Sequence, residues 1–220
     1  MKKLIIILIL VGLSAGVILL NNSAFAAATT KGKKGLMPLG GQAPDFKLMD
    51  VVTGKMVLRD DFSKKKALLV IFMCRHCPFV QHDKEGIIKL AKDYSAKDVA
   101  IVGISANDPA AYPQDSPESL KEMVAQDALL MPLLFDDTQG TAKAYTAVAT
   151  PDFFLFDKDR KLVYRGQFDD SRPGNSLPVT GKDLRKAIDA VLKGKPLHGT
   201  QRPAVGCSIK WKKGNEPAYF

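Results

Sequence analysis

"ALLVIFMCRHCPFVQHDKEGIIKLAKDYSAK" (67–97) carries two periodicities joined by a pair of cysteines. Residues 67–73 form a continuous apolar run with lysines just upstream, the pattern of a strand buried on both faces. Further on, Val80, Ile87, Ile88, Leu90, Ala91 and Tyr94 fall along one side of a helix. Cys74 and Cys77 therefore lie where a strand ends and a helix begins. Reactive groups gather at that edge of α/β sheets.

The alternation continues outward. "VAIVGISAN" (99–107) predicts a second buried strand, and "SPESLKEMVAQDAL" (116–129) opens with Ser116, Pro117 and Glu118, good helix-start chemistry. "MPLLFDD" (131–137) reads as a short strand and "TQGTAKAYTAVA" (138–149) as a helix. "DFFLFDKDRKLVYRGQF" (152–168) reads as a hairpin turning at "DKDRK", and "TGKDLRKAIDAVLKG" (180–194) as a last amphipathic helix. Upstream, "DFKLMDVVTGKMVLRDDF" (45–62) alternates around Thr53-Gly54, as two short strands do. The order implies an α/β fold, a central mixed sheet flanked by helices with an extra N-terminal β-hairpin.

The ends differ in character. "MKK", an apolar run from Leu4 to Leu20 and the ending Ala24-Phe25-Ala26 make residues 1–26 a signal peptide or, if retained, a membrane anchor. No cysteine lies near the leader, which excludes a lipoprotein anchor. Residues 27–38 read as a linker, 39–197 as the domain, and 198–220 as a C-terminal tail without periodicity. The leader places the rest in the periplasm or otherwise outside the cytoplasm, with membrane contact only if it is kept.

Hydrophobic residues make up 46% of the 220 and charged residues 25%, enough for a packed core. The net charge of +9 falls to +7 without Lys2 and Lys3. The remaining basic residues are scattered, with neither a stripe nor a reading motif, so nucleic acid is not an expected partner.

Three cysteines, Cys74, Cys77 and Cys207, are too few for a disulfide scaffold, and a bridge between residues three apart stabilises little. Chemistry explains the pair better. A thiol must ionise to attack, and an unperturbed cysteine is mostly protonated at neutral pH. The turn predicts an exposed Cys74 facing the helix N-terminus, where free N–H groups and the helix dipole favour a thiolate, with Arg75 and His76 adding positive charge. The i, i+3 spacing puts Cys77 on the same face of the first turn, as the resolving thiol. Pro78 costs no helical hydrogen bond there but biases Cys77 away from helical backbone. A structural metal needs four ligands, and the chain adds only Cys207, His76, His82 and His198. The reading calls for no metal and no cofactor. Cys207 is either a free thiol on a packed tail or a third redox partner that reaches Cys74 or Cys77.

Strand, C-x-x-C at a helix start and a later Thr-Pro before the terminal hairpin resemble the thioredoxin-like superfamily. "GQAPDFKLMDVVTGKMVLRDDF" (41–62) resembles its redoxin branch, the alkyl hydroperoxide reductase/thiol-specific antioxidant family. The resemblance implies a thioredoxin-like fold and a thiol–disulfide oxidoreductase acting on protein thiols or disulfides with a further redox partner. It also implies that Thr150 and Pro151 form a cis-proline loop that packs on the cysteines and presents backbone to a substrate.

There are departures from that family. Met73 replaces the usual tryptophan, and Ile71 stands where thioredoxin buries an acid. Arg75-His76 is closer to the Pro-His of periplasmic disulfide oxidants than to Gly-Pro. Cys77-Pro78 also resembles a peroxiredoxin's reactive Cys-Pro, but Cys74 and Val70 occupy the positions of its Thr and Pro. A peroxiredoxin-like peroxidase and a non-enzymatic copper metallochaperone, usually C-x-x-x-C with a distant histidine, are the alternatives. Intact mass of natively exported protein tests the leader: cleavage after Ala26 is expected, and a mass retaining Met1 would mean an anchor.

Overall fold

The computed structural model describes residues 35–219, so the leader and most of the linker lie outside the described residues. β3 (Ala67–Phe72) and β4 (Val99–Ser105) are buried at every position and pair in parallel from Ala67↔Val99 to Phe72↔Ile104. Their apolar runs are continuous because both faces of the sheet are covered. α1 (Pro78–Tyr94) connects them. α2 (Pro117–Asp127) leads to β5 (Leu133–Phe135), which lies parallel to β4.

On the other side of β3, β7 (Asp152–Phe156) runs antiparallel, and β8 (Leu162–Gly166) folds back beside it. The N-terminal hairpin, β1 (Lys47–Asp50) and β2 (Met56–Leu58), joins the same sheet through an antiparallel β1–β5 pairing. The seven strands stand in the order β2-β1-β5-β4-β3-β7-β8, the mixed sheet expected.

Alternation along β3 separates two cores. Leu69, Ile71 and Met73 face one side, where α1, α2 and α4 (Lys182–Leu192) contribute Val80, Ile87, Leu90, Leu120, Met123, Leu184 and Ile188. Leu68, Val70 and Phe72 face the other, packed with Phe46, Ala142, Tyr145 and Ile209. That second face is closed mainly by the two ends of the domain. Ile209 and Trp211, from the segment without periodicity, pack there.

The helix expected over 138–149 is not continuous. α3 covers only Gly140–Ala144, and β6 (Ala149–Thr150) follows. Tyr145 ends the helix because its ring is needed in the core. It is fully buried, meets Phe72, Phe154 and Phe156 edge-to-face, and donates its hydroxyl hydrogen to the Pro44 carbonyl at 3.0 Å. Thr146 then takes a left-handed φ of 53°, its hydroxyl oxygen accepting from the Met37 amide at 2.8 Å. This reversal brings Thr150 back toward the cysteines.

Gly86, inside α1, is required by packing. A Cβ there would lie 2.7 Å from both Phe168 and Val179, and Phe168 is buried and stacked on Phe153. Gly86→Ala gains about 1 kcal/mol of helix propensity but overpacks a site with no room, at a cost of about 1–3 kcal/mol. Urea unfolding should show net destabilisation, and an unchanged or higher midpoint would mean that the helix–loop contact yields.

Candidate active site

The chain leaves β3 at Phe72, Met73 still donates to the Ile104 carbonyl at 2.9 Å, and α1 begins at Pro78 with Cys77 as its N-cap. Cys77 has φ −70° and ψ 123°, extended backbone, so the bias that Pro78 imposes is met rather than resisted. Both cysteines thus precede the helix. They are not stacked on its first turn as the spacing suggested.

Neither sulfur is exposed: Cys74 and Cys77 are each at 0%. The expectation of an exposed Cys74 is corrected here, and the reason is where its polar neighbours go. Arg75 turns away onto α2, donating to the Ser119 carbonyl (2.8 Å) and hydroxyl (2.6 Å) and to Glu122 (2.9 Å) and Gln126 (3.2 Å). The His76 ring stacks on Tyr112 with centroids 4.7 Å apart, and its Nδ1 lies 2.5 Å from Asp115 Oδ2. A carboxylate only accepts, so Nδ1 carries the hydrogen.

Asp115, fully buried just before α2, gathers the loop. It also accepts from the backbone amides of Arg75 (2.8 Å) and His76 (3.2 Å) and from the Asn107 side chain (2.9 Å). Four donors offset the cost of burying the carboxyl. No sequence pattern marks it, since it reads as part of a helix start. Ligand atoms of Cys74, His76 and Asp115 all lie within 4.8 Å of one another, but the acid's oxygens are already taken by this network.

On the opposite side, Thr150 meets both cysteines. Its hydroxyl is 3.4 Å from Cys74 Sγ, and its carbonyl oxygen accepts from the Cys77 thiol at 3.0 Å. The Thr150–Pro151 bond is cis. Thr150 of the expected loop is therefore brought to the pair.

The two thiols titrate as a pair, each setting the acidity of the other. Cys74 is pushed far above the ordinary thiol range: it keeps its proton toward Cys77, it is buried, and the nearby Asp115 is negative. Cys77 is held well below that range by the Cys74 hydrogen bond, against burial, with the Thr150 hydroxyl, the Val80 amide and the Cys207 thiol adding to it. The Thr150 carbonyl favours a protonated Cys77, but these donors outnumber it. Cys77, and not Cys74, is the N-cap, so it lies nearer the positive end of the α1 dipole.

Ile71 is indeed apolar and fully buried, yet a buried acid reaches the site from another element. Asp83, in α1, has its carboxyl pushed up to about 7 by burial first, then by Asp169 and Cys77, with Arg172 opposing. Cys207, in β9 (Cys207–Ser208), pairs with Thr150 across a two-stranded sheet, β6 with β9.

A family model for the AhpC/TSA family matches residues 39–165. The chain belongs to the AhpC/TSA family. Its relatives include a protein called thiol-disulfide oxidoreductase ResA from Bacillus thuringiensis subsp. konkukian, 28% identical over 131 residues, covering 60% of this chain and 70% of that protein. An uncharacterised conserved protein from Geobacillus kaustophilus is 49% identical with a TM-score of 0.79, covering 80% of this chain and 94% of its own. A hypothetical protein from Sinorhizobium meliloti 1021 is 48% identical at the same TM-score, covering 80% and 96%. A putative DsbE from Chlorobium tepidum, at 20% identity, TM-score 0.57 and coverage of 71% and 99%, shares the thioredoxin-like fold. This AhpC/TSA member is an oxidoreductase of that fold.

Asp83 gives a pH test. A carboxyl whose folded pKa is raised stabilises fully below its unfolded value near 3.9, and that contribution is lost as pH rises toward about 7. Asp83→Asn should therefore be more stable than the parent at pH 7.5, with the difference shrinking toward pH 4.5 in urea unfolding. Parallel stability profiles would remove Asp83 from this role.

Proposed function

We propose that the chain exchanges disulfides with protein thiols through Cys74 and Cys77, outside the cytoplasm. The observation that carries this is the contact of both sulfurs with each other and with the hydroxyl and carbonyl of Thr150 on the cis-proline loop. The relatives named as thiol-disulfide oxidoreductases support it, and the apolar leader supports the location.

In the reducing direction the Cys77 thiolate attacks one sulfur of a partner disulfide. A Cys77–partner bond forms, the partner's S–S bond breaks, and the second partner sulfur leaves as a thiolate. Cys74 gives its proton to that thiolate and attacks Cys77 Sγ, forming the Cys74–Cys77 disulfide and releasing the first partner sulfur as a thiolate. The protein dithiol loses two electrons and the partner disulfide gains them. The reverse sequence installs a disulfide. The lowered pKa of Cys77 suits it both as attacking and as leaving sulfur. The Thr150–Pro151 loop would receive the partner once β9, which pairs with Thr150, is displaced from it.

His76 and Arg75 act here as positioning residues. His76 holds Asp115 in place beside Cys74 through its Nδ1 hydrogen bond, and Arg75 ties the loop to α2. Peroxide is the competing oxidant, because a thiolate next to Pro78 resembles the reactive site of a peroxidase. Val70, at the position of the peroxidase proline, lies inside β3 and pairs with Val102 and Phe154.

The test is thiolate ultraviolet absorbance against pH in a Cys207→Ser background. Cys74→Ser should keep a thiolate at neutral pH, and Cys77→Ser should leave Cys74 protonated. Cys74→Ser should also accumulate mixed disulfides with a partner protein. The opposite ionisation order would return the nucleophile's role to Cys74. Oxidation of the wild-type pair faster by hydrogen peroxide than by a protein disulfide would favour the peroxidase.

A further inference from the structure

Cys207 sits too close to the pair to be a bystander. β6 and β9 are only two residues each, and their register sets Thr150 opposite Cys207. Gly206 makes that contact possible: a Cβ there would lie 2.1 Å from the Thr150 carbonyl oxygen. β9 is thus laid flush on the residue that touches both motif sulfurs.

Cys207 packs, partly buried, against the core cluster that holds Cys74 and Cys77, and it pairs in register with Thr150, which touches both of their sulfurs. Of the two motif cysteines, Cys77 is the one whose charge bears on Cys207. Among the described residues the three sulfurs do not form one compact ligand group. Cys207 alone of the three is partly exposed.

We infer that Cys207 is a third redox-active thiol, and that Cys77 is shared between two alternative disulfides, Cys74–Cys77 and Cys77–Cys207. The inference rests on the redox role proposed for Cys74 and Cys77. In the oxidised protein Cys207 loses its proton and attacks Cys77 Sγ. The Cys77–Cys207 bond forms, the Cys74–Cys77 bond breaks, and Cys74 leaves with the electron pair and takes the proton. No net oxidation occurs; the disulfide moves from a buried position to one that solvent reaches. A thiol from outside, of glutathione or of a protein, then attacks Cys207 Sγ and expels Cys77 as a thiolate.

The electrostatics agree with this order. While Cys77 is ionised, burial first, then the pull of Cys77 on the Cys207 proton and the Cys77 charge hold the Cys207 thiol up at about 11, so it keeps its proton rather than attacks. Once Cys77 is in a disulfide, that neighbouring charge is gone and Cys207 ionises more readily.

Trypsin separates the three cysteines into peptides 67–75, 76–84 and 194–210, so each pairing has its own mass. Cys74→Ser equilibrated with oxidised glutathione should yield 76–84 linked to 194–210. Recovery of those peptides unlinked, free or each carrying glutathione, would overturn the inference. Wild-type protein should yield 67–75 linked to 76–84; failure of that linkage would instead sink the proposed function. Cys207→Ser should keep the near-ultraviolet dichroism of the fold and the Cys74–Cys77 linkage. It should exchange with glutathione roughly tenfold more slowly. Exchange at the wild-type rate would make Cys207 a spectator.

Discussion

Thr150 accepts the Cys77 thiol on its carbonyl, faces Cys74 with its hydroxyl and pairs across β6–β9 with Cys207. Three cysteines remote in sequence meet one residue, and the surrounding fold is arranged to hold that residue still. Tyr145 anchors the approach by filling the core under β3, and Thr146 reverses the chain. Arg165 closes the far side, donating to Asp152 at 3.2 Å and to the Thr146 carbonyl at 2.6 Å. The short helix, the tight turn and the buried ion pair all serve the placement of one peptide unit.

Electrostatics at the site are set by burial and by direction. A carboxyl among four donors lies beside Cys74, and the open end of α1 lies beside Cys77. Two chemically identical thiols are thereby made unlike, the acidity of Cys74 lowered and that of Cys77 raised. The same separation of paired titratable groups assigns acid and base roles in many enzymes. Here it arises from which cysteine occupies the N-cap, a difference of three positions in the chain.

Much of this frame was legible from residues alone. The apolar runs of β3 and β4, the hairpin at 152–166 and the placement of the C-x-x-C at a strand-to-helix junction all follow from local periodicity. What escaped is non-local. Arg75 and His76 look like neighbours that would keep Cys74 in water, yet both swing to partners about forty residues away, Ser119 and Asp115. Asp115 and Asp83 carry no pattern that announces burial. The helical reading of 138–149 fails because Tyr145 is claimed by the core. β9 is two residues long, too short for any period to show.

The full burial of the two motif sulfurs makes the site a gauge of its own mobility. A reagent in solution meets Cys77 only in molecules whose cover has lifted, so its labelling rate is an intrinsic chemical rate scaled by the open fraction. That cover includes a ladder of just two residue pairs, Ala149↔Ser208 and Thr150↔Cys207. So short a ladder can detach without disturbing the seven-stranded sheet. Thiol labelling would then read the free energy of a local opening, as amide exchange does for backbone, and place the tail among the least costly parts of the molecule to unfold.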